Sequence, residues 1–145
     1  MQSFYKYWLR EKLERYVEVK ETYGKLLDEI AYLEGKLEGK AIASYGESLG
    51  HNQGQADERF LNQLAELDAL KANYKENMKL IDDVDKATDC LNDMESEILF
   101  TLYGTRRRGG KARSLADKYQ YEERQIYRIG EQAASKVSYR LFGNK

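Results

Sequence analysis

Apolar residues recur at alternating steps of four and three along the first part of the chain, from about residue 3 to 38. The series comprises Leu9, Leu13, Tyr16, Tyr23, Leu27, Ile30 and Leu37, with Lys20 and Glu34 at its polar positions. This heptad spacing predicts a long amphipathic helix with a coiled-coil-like seam. Phe4 and Trp8 extend its apolar end, where core or partner-helix contact is favoured over ligand stacking.

A glycine-rich stretch separates this helix from a second one with the same spacing. Five glycines lie between Gly35 and Gly54. Glycine loses much backbone entropy on folding, which predicts a flexible loop at about 39–56. Its segment GESLGHNQG lacks the residue order of a phosphate-binding loop. Apolar spacing resumes at about Asp57 in Phe60, Leu64, Leu67, Tyr74, Met78 and Ile81, with Lys71 as the polar exception. The two helices predict an antiparallel hairpin arm over residues 1–93.

The remaining residues, 94–145, are predicted to form a separate small domain. Its first segment, DMESEILFTLYGTRRRGG, is apolar before a glycine and predicts a helix that ends near Tyr103. A basic loop follows, with Arg106, Arg107, Arg108, Lys111 and Arg113 within eight residues. Cations at this density repel one another unless phosphates or acidic groups neutralise them. The loop is therefore a candidate for phosphate contact, the alternative being an exposed loop that only aids solubility.

The segment SLADKYQYEERQIYRI places its apolar residues at uneven intervals that fit neither one helical stripe nor a strand. Two short helices joined by a turn explain the spacing. The residues involved are Leu115, Ala116 as the small residue at the helix crossing, Tyr119 and Tyr121 beside the turn, and Ile126 and Ile129 on the inward face. The sequence therefore predicts a helix-turn-helix.

Three polar residues are expected to define the ends of these helices. Ser114 would cap the first helix, and Glu122 would accept hydrogen bonds from the free amides that open the second. Gln120 occupies the turn position where glycine is most common, and a positive φ there would cost about 1 kcal/mol. The second helix is predicted from about Glu123 to Leu141.

Composition and charge agree with an all-α chain that meets a polyanion. The chain has 145 residues and no proline; 41% of its residues are apolar and 34% are charged. From Gly104 onward eleven Lys or Arg oppose four acidic residues, a net of +7, which leaves −8 for the first 103 residues. Such segregation indicates that the carboxyl-terminal part meets a polyanion and that the first part does not.

Few residues are suited to catalysis, metal binding or membrane contact. Cys90 is the only cysteine and His51 the only histidine. Cys90 is expected to be a buried or half-buried helical residue, and His51 to lie in a loop. The acidic segment DDVDKATD lacks the glycine and final glutamate of a calcium-binding loop, so a solvated helix face is expected. No apolar run is long enough for a membrane span, and no signal peptide is recognisable, so a cytoplasmic location without membrane, metal or cofactor is expected.

If the second helix enters a DNA groove, four of its residues are candidate base readers: Glu123, Arg124, Tyr127 and Arg128. Arginine can pair with guanine or hold a phosphate, glutamate can accept from cytosine, and tyrosine can contact a thymine methyl group. Lys118 would join the residues 106–113 in contacting phosphates. Lys136, Arg140 and Lys145 are expected to form a solvated helix end.

The stretch ILFTLYGTRRRGGKARSLADKYQYEERQIYRIGEQAASKV resembles the region-4-like helix-turn-helix of sigma factors. Together with the helical arm before it, it is similar to phage-encoded transcriptional regulators of the ArpU and RinA type. The resemblance implies activation of late phage genes in a bacterial host, with DNA contact at Arg124, Tyr127 and Arg128. The expected partner is double-stranded DNA, and the arm would serve homodimerisation or contact with RNA polymerase.

Two other classes of function fit the same residues. A coiled-coil adaptor without DNA contact is favoured by Glu122 and Glu123, which would approach phosphates. A small terminase subunit also combines such motifs with a coiled coil. An enzyme is least expected, because no arrangement of nucleophile, base or metal ligands is recognisable.

Overall fold

The computed structural model describes residues 2–46, 53–105 and 109–143, with side chains for 2–39, 57–105 and 109–143. Within these residues the chain is all α-helical and contains no strand. The helices are α1 (Ser3–Gly46), α2 (Gln53–Thr88), α3 (Asp93–Tyr103), α4 (Lys111–Tyr119) and α5 (Glu123–Phe142). The predicted fold class is confirmed.

Both long helices extend into the stretch predicted as a loop. α1 continues through Gly35 and Gly39 to Gly46, and α2 begins at Gln53, so the predicted loop of about 39–56 is too wide. A glycine inside a helix costs only about 1 kcal/mol relative to alanine, and no proline interrupts the hydrogen bonds. His51 lies outside the described residues.

α1 contacts α2 through polar side chains at two places. The Tyr16 hydroxyl donates to Asp85, and Glu34 pairs with Lys71. The distance from Lys71 Nζ to Glu34 Oε1 is 2.7 Å. Two predicted polar seam positions therefore neutralise each other across the helix pair.

The buried stripe differs from the predicted seam in the middle of α1. Tyr23 and Leu27 are exposed, as is Met78 on α2, whereas Val19 and Leu33 are buried. Ile30 and Leu37, later members of the same heptad series, are buried. The departure from the predicted seam is therefore confined to the turns around Tyr23 and Leu27.

The chain divides into two compact units that differ from the predicted domains. The terminal unit consists of Met1–Lys20 and Leu80–Lys145, and the hairpin unit consists of Glu21–Lys79. The hairpin unit has its own small core of Ile30, Leu33, Leu37 and Leu67. The predicted boundary between residues 93 and 94 falls inside the terminal unit.

The core of the terminal unit explains this difference. It draws on all five helices. Its members include Leu9, Leu13, Tyr16, Val19, Ile81, Val84, Ile98, Leu99, Leu115, Ile126, Ala133 and Val137. Three short helices alone would bury little apolar surface, because small domains have a high ratio of surface to volume. The first part of α1, up to Lys20, and the last part of α2, from Leu80, supply the missing surface.

α3 begins at a capping box and ends where the sequence predicted. The Glu95 amide donates to Asn92 Oδ1 at 2.8 Å, and the Asn92 amide donates to Glu95 Oε1 at 3.4 Å. These two bonds satisfy amides that the helix start leaves free. Cys90, in the preceding turn, is exposed, which corrects its expected burial on a helix.

α5 packs closely against α3 at Gly130. A Cβ atom at this position would lie 2.7 Å from Leu102 Cδ1 and 3.3 Å from Ile98 Cγ2. The missing side chain allows the two helices to pack at short distance. Ala116, the predicted small residue at the crossing of the two shorter helices, is also buried.

Candidate nucleic-acid interface

A turn at residues 120–122 separates α4 from α5. Gln120 has φ +56° and ψ +42°, the left-handed conformation expected at this position. Its amide donates to the Ala116 carbonyl, and so does the Tyr121 amide at 3.0 Å. The predicted break between two helices is therefore present, and α5 begins at the predicted Glu123.

The predicted caps of both helices differ from those in the structure. α4 begins three residues before Ser114, with Gly110 as its N-cap and no side-chain cap. Glu122 is the N-cap of α5, but its side chain makes no capping bond. Its backbone carbonyl instead accepts from Gln125 and Ile126 at 3.0 and 3.1 Å. Lys111 and Ala112 are compatible with a helical first turn, so a cap at Ser114 is not needed.

Apolar contacts on the inner sides of α4 and α5 fix which residues face outward. Leu115, Ala116 and Ile126 are buried in the terminal unit's core, and Ile129 packs against that core. Tyr119 is half-buried beside them, whereas Tyr121 is exposed. Burial of Ile126 and Gly130 leaves Tyr127 and Arg128, which lie between them, facing the surface.

The four candidate base readers all lie on the exposed side of α5. Glu123, Arg124, Tyr127 and Arg128 are exposed, and 58% of the Tyr127 surface is accessible. None of the ion pairs formed among the described residues involves Arg124 or Arg128. Both arginines line a shallow depression that Gln125 and Gln132 share. The first half of α5 thus presents the guanidinium groups of Arg124 and Arg128, the amides of Gln125 and Gln132 and the carboxylate of Glu123 to the surroundings.

The other cations of the carboxyl-terminal part are mostly paired with acids. Lys118 Nζ lies 2.6 Å from Glu97 Oε1, and Lys136 Nζ lies 3.6 Å from Glu95 Oε2. Arg140 pairs with Asp89 and also donates to the Lys86 carbonyl at 2.9 Å. Lys118, Lys136 and Arg140 are therefore all exposed and each has an acidic partner. These partners are distant in sequence, so no local pattern could have indicated them.

Glu97 on α3 holds two side chains of α4. It accepts from Lys118 and from the Tyr119 hydroxyl. The Lys118 bond, followed by the Tyr119 bond, lowers the pKa of Glu97. The same contacts raise the pKa of Lys118 and of Tyr119 above their ordinary values. This cluster ties α4 to α3 beside the turn.

The structure locates part of the predicted basic loop. Arg106, Arg107 and Arg108 lie outside the described residues. Gly109 and Gly110, with φ of +84° and +74°, lead into α4. Lys111 donates to the Thr105 carbonyl at 2.7 Å, and Arg113 is exposed on α4.

The described residues offer no metal site and no membrane span. No group of three or more His, Cys, Asp or Glu side chains among them could hold a metal ion. None of the helices, as far as the chain is described, is long and apolar enough to cross a bilayer. DDVDKATD is helical as far as Thr88, and its charges partly face basic groups, since Lys86 pairs with Asp82 at 2.9 Å and Asp89 with Arg140.

Comparison with known proteins gives no match: no family model, curated protein or solved structure matches this chain. The function must therefore be argued from the geometry.

Proposed function

We propose that the protein is a sequence-specific DNA-binding transcription regulator that inserts the first half of α5 into a major groove. One observation carries this proposal: Arg124 and Arg128 are exposed and unpaired among the described residues, whereas Lys118, Lys136 and Arg140 have acidic partners. A folded chain that leaves neighbouring guanidinium groups open on one helix face has a surface suited to an anion. A helix that follows a short helix and a turn, as α5 follows α4, is the element that helix-turn-helix proteins place in the major groove.

Each exposed residue of this surface has a chemical role in the proposal. Arg124 and Arg128 pair with guanine edges or hold phosphates, and Tyr127 contacts a thymine methyl group or a phosphate. Glu123 accepts from a cytosine amino group. Arg113 and the arginines at 106–108 contact the backbone, which adds affinity and salt dependence without sequence information.

The resemblance to ArpU- and RinA-type regulators adds a narrower proposal. Under it, the protein activates late phage genes, and its operator lies near its own gene. Binding to that flanking DNA in preference to unrelated duplex of equal length is the expected result.

An adaptor that binds protein rather than DNA is the second candidate. Glu122 and Glu123 favour it, because both are exposed at the start of α5, where they would approach phosphates. The pairing of Lys118 with Glu97 also supplies an acidic group that competes with a phosphate for this lysine. An adaptor would bind no duplex in a salt-dependent manner.

Fluorescence anisotropy with labelled duplexes at several salt concentrations separates these candidates. We expect binding that weakens as salt rises, with a log–log slope of about −0.9 for each phosphate neutralised. Arg124→Ala and Arg128→Ala should each weaken binding by about 1–3 kcal/mol. Lys136→Ala, which removes a paired cation from the same helix, is the matched control and should have little effect. Absence of salt-dependent binding to any duplex would reject the proposal.

A further inference from the structure

An aromatic cluster forms where the first turns of α1 meet the end of α5, with Phe4 and Trp8 exposed and Tyr5 and Phe142 half-buried. Trp8 lies 5.4 Å from the Phe4 ring, 5.6 Å from the Tyr5 ring and 5.8 Å from the Phe142 ring, between ring centroids. Despite these contacts, 44% of Phe4 and 46% of Trp8 remain accessible. Pre-packed aromatic side chains that stay exposed are typical of binding surfaces rather than of cores.

Two cations continue this surface along the same face of α1. Phe4, Trp8, Lys12 and Arg15 follow one another at helical steps of four, four and three, so they share one face. Lys12 Nζ is held 5.6 Å from the centre of the Phe142 ring by a cation–π contact. Arg15 is exposed. Trp8, Lys12 and Arg15 line a shallow groove together with Glu11, Leu80 and Phe142.

We infer that this groove binds an acidic amphipathic helix of a partner protein. Two bulky apolar side chains of that helix, one turn apart, would cover Phe4 and Trp8, and carboxylates one to two turns farther on would meet Lys12 and Arg15. The order of residues along this face of α1 supports such a partner, because Phe4 and Trp8 offer apolar contact in the first turns and Lys12 and Arg15 offer positive charge in the next. Helix-in-groove recognition uses the same spacing of anchors.

The groove is separate from the proposed DNA-binding surface. Phe142 and Arg124 lie at opposite ends of α5, about 27 Å apart at 1.5 Å per residue. A partner helix on the groove therefore leaves Arg124 and Arg128 accessible. The inference does not rest on DNA binding.

Ring geometry and charge favour a peptide over single-stranded nucleic acid. Trp8 makes angles of 69°, 86° and 60° with its three neighbours, so the rings meet mostly edge to face. Nucleobases stack on free aromatic faces, which this packing limits. Glu11 also lies in the groove between the cations. A helix can place a neutral residue opposite Glu11, whereas a nucleic-acid strand carries a charge at every phosphate.

Selection of short randomised peptides displayed on phage against the full chain tests the inference. We expect the enriched peptides to combine a pair of large apolar residues, three or four positions apart, with acidic residues beyond them. A synthetic copy should shift the emission of Trp8, the only tryptophan, to shorter wavelength. Arg15→Glu should weaken its binding by on the order of tenfold or more, as for an interface hot spot. Changing the matching acidic residue of the peptide to lysine should restore it.

Arg59→Glu, which reverses an exposed arginine of the hairpin unit, is the matched control and should leave peptide binding unchanged. Melting temperatures show that each variant is folded. Enrichment of neutral or basic peptides, failure to enrich any peptide, or equal binding by Arg15→Glu would overturn the inference. Self-association of the chain that is lost in Arg15→Glu would also overturn it, because the groove would then bind a second copy. A larger change in Trp8 emission with a single-stranded oligonucleotide than with the peptide would overturn it as well. If the chain binds no DNA duplex through Arg124, the inference about the groove is unaffected.

Discussion

At the scale of single residues, Gln120 carries a conformational cost that a glycine would not. Its φ of +56° places a side chain in the left-handed region, which is unfavourable for residues other than glycine. The turn keeps this geometry because the Gln120 and Tyr121 amides both donate to the Ala116 carbonyl. The backbone of Gln120 is thus strained at the point where the chain changes direction between α4 and α5.

Gln120→Gly should stabilise the protein by about 0.5–1 kcal/mol, because the left-handed conformation no longer strains a side chain. Gln132→Gly is the matched control, since the same change on the exposed face of α5 should destabilise by a similar amount. Urea unfolding followed by circular dichroism measures both. A loss of stability in Gln120→Gly would contradict the strain assigned to this turn.

Two helical glycines, Gly130 and Gly24, should respond differently to the same substitution. Nothing lies within 4 Å of a Cβ added at Gly24, so Gly24→Ala should stabilise by roughly 0.5–1 kcal/mol. At Gly130 the new methyl group must displace Leu102 and press on Ile98, and overpacking of this kind costs about 1–3 kcal/mol. We therefore expect Gly130→Ala to be less stable than Gly24→Ala in the same unfolding assay. Equal gains would show that α3 and α5 are not closely packed.

At the scale of helices, α3 connects elements that are far apart in sequence. Its Glu97 accepts from Lys118 and Tyr119 of α4, its Glu95 pairs with Lys136 of α5, and Gly130 packs on its apolar face. At its end, the Leu102 carbonyl accepts from Arg10 of α1 at 3.2 Å. α3 thus sets the positions of α4 and α5, and with them the exposed face that bears Arg124 and Arg128.

The Glu97 cluster predicts a pH dependence of stability. The pKa of Glu97 is lowered in the folded chain, so unfolded Glu97 takes up a proton at a higher pH than folded Glu97 does. Its contribution is complete above the ordinary pKa of glutamate and is lost as pH falls through the lowered folded value. Glu97→Gln should lower the melting temperature modestly at neutral pH and flatten its decline in acid, because surface ion pairs contribute little.

Melting curves at several pH values, with Glu66→Gln as the control for loss of an exposed carboxylate in the hairpin unit, measure this effect. An unchanged acid slope in Glu97→Gln would show that the cluster does not stabilise the fold.

At the scale of the whole molecule, the terminal unit is assembled from both ends of the chain. Leu9, Leu13 and Tyr16 share a core with Ile98 and Ile126, although α2 and most of α1 intervene in sequence. The candidate DNA-binding helices therefore depend on the first turns of α1 for their packing. A fragment limited to residues 94–145 would expose much of this core to water.

We predict that residues 94–145 alone unfold without a cooperative transition. A chain in which a short glycine-rich linker replaces Glu21–Lys79 should retain one. The linker has to span only neighbouring helices, whose axes lie about 8–10 Å apart. Circular dichroism melting distinguishes the two, and the linked chain should also keep its duplex binding. Cooperative unfolding of 94–145 alone would show that the first turns of α1 are dispensable.

The sequence by itself determined the helical class, the end of α3 near Tyr103, the break at Gln120 and the start of α5 at Glu123. These follow from local physical chemistry, since apolar periodicity, glycine stops and turn preferences act within a few residues. The exposure of Arg124, Tyr127 and Arg128 was also readable, because the apolar residues Ile126 and Ile129 mark the opposite face.

Only the tertiary structure decided which residues those elements meet. It paired Lys118 with Glu97 and Arg140 with Asp89, buried Val19 and Leu33 in place of Tyr23 and Leu27, and joined the first turns of α1 to the carboxyl-terminal helices. Such contacts join positions tens of residues apart, and a periodic pattern carries no information about its partner. Which cations of the described residues keep acidic partners, and which, like Arg124 and Arg128, do not, is therefore a property of the assembled fold.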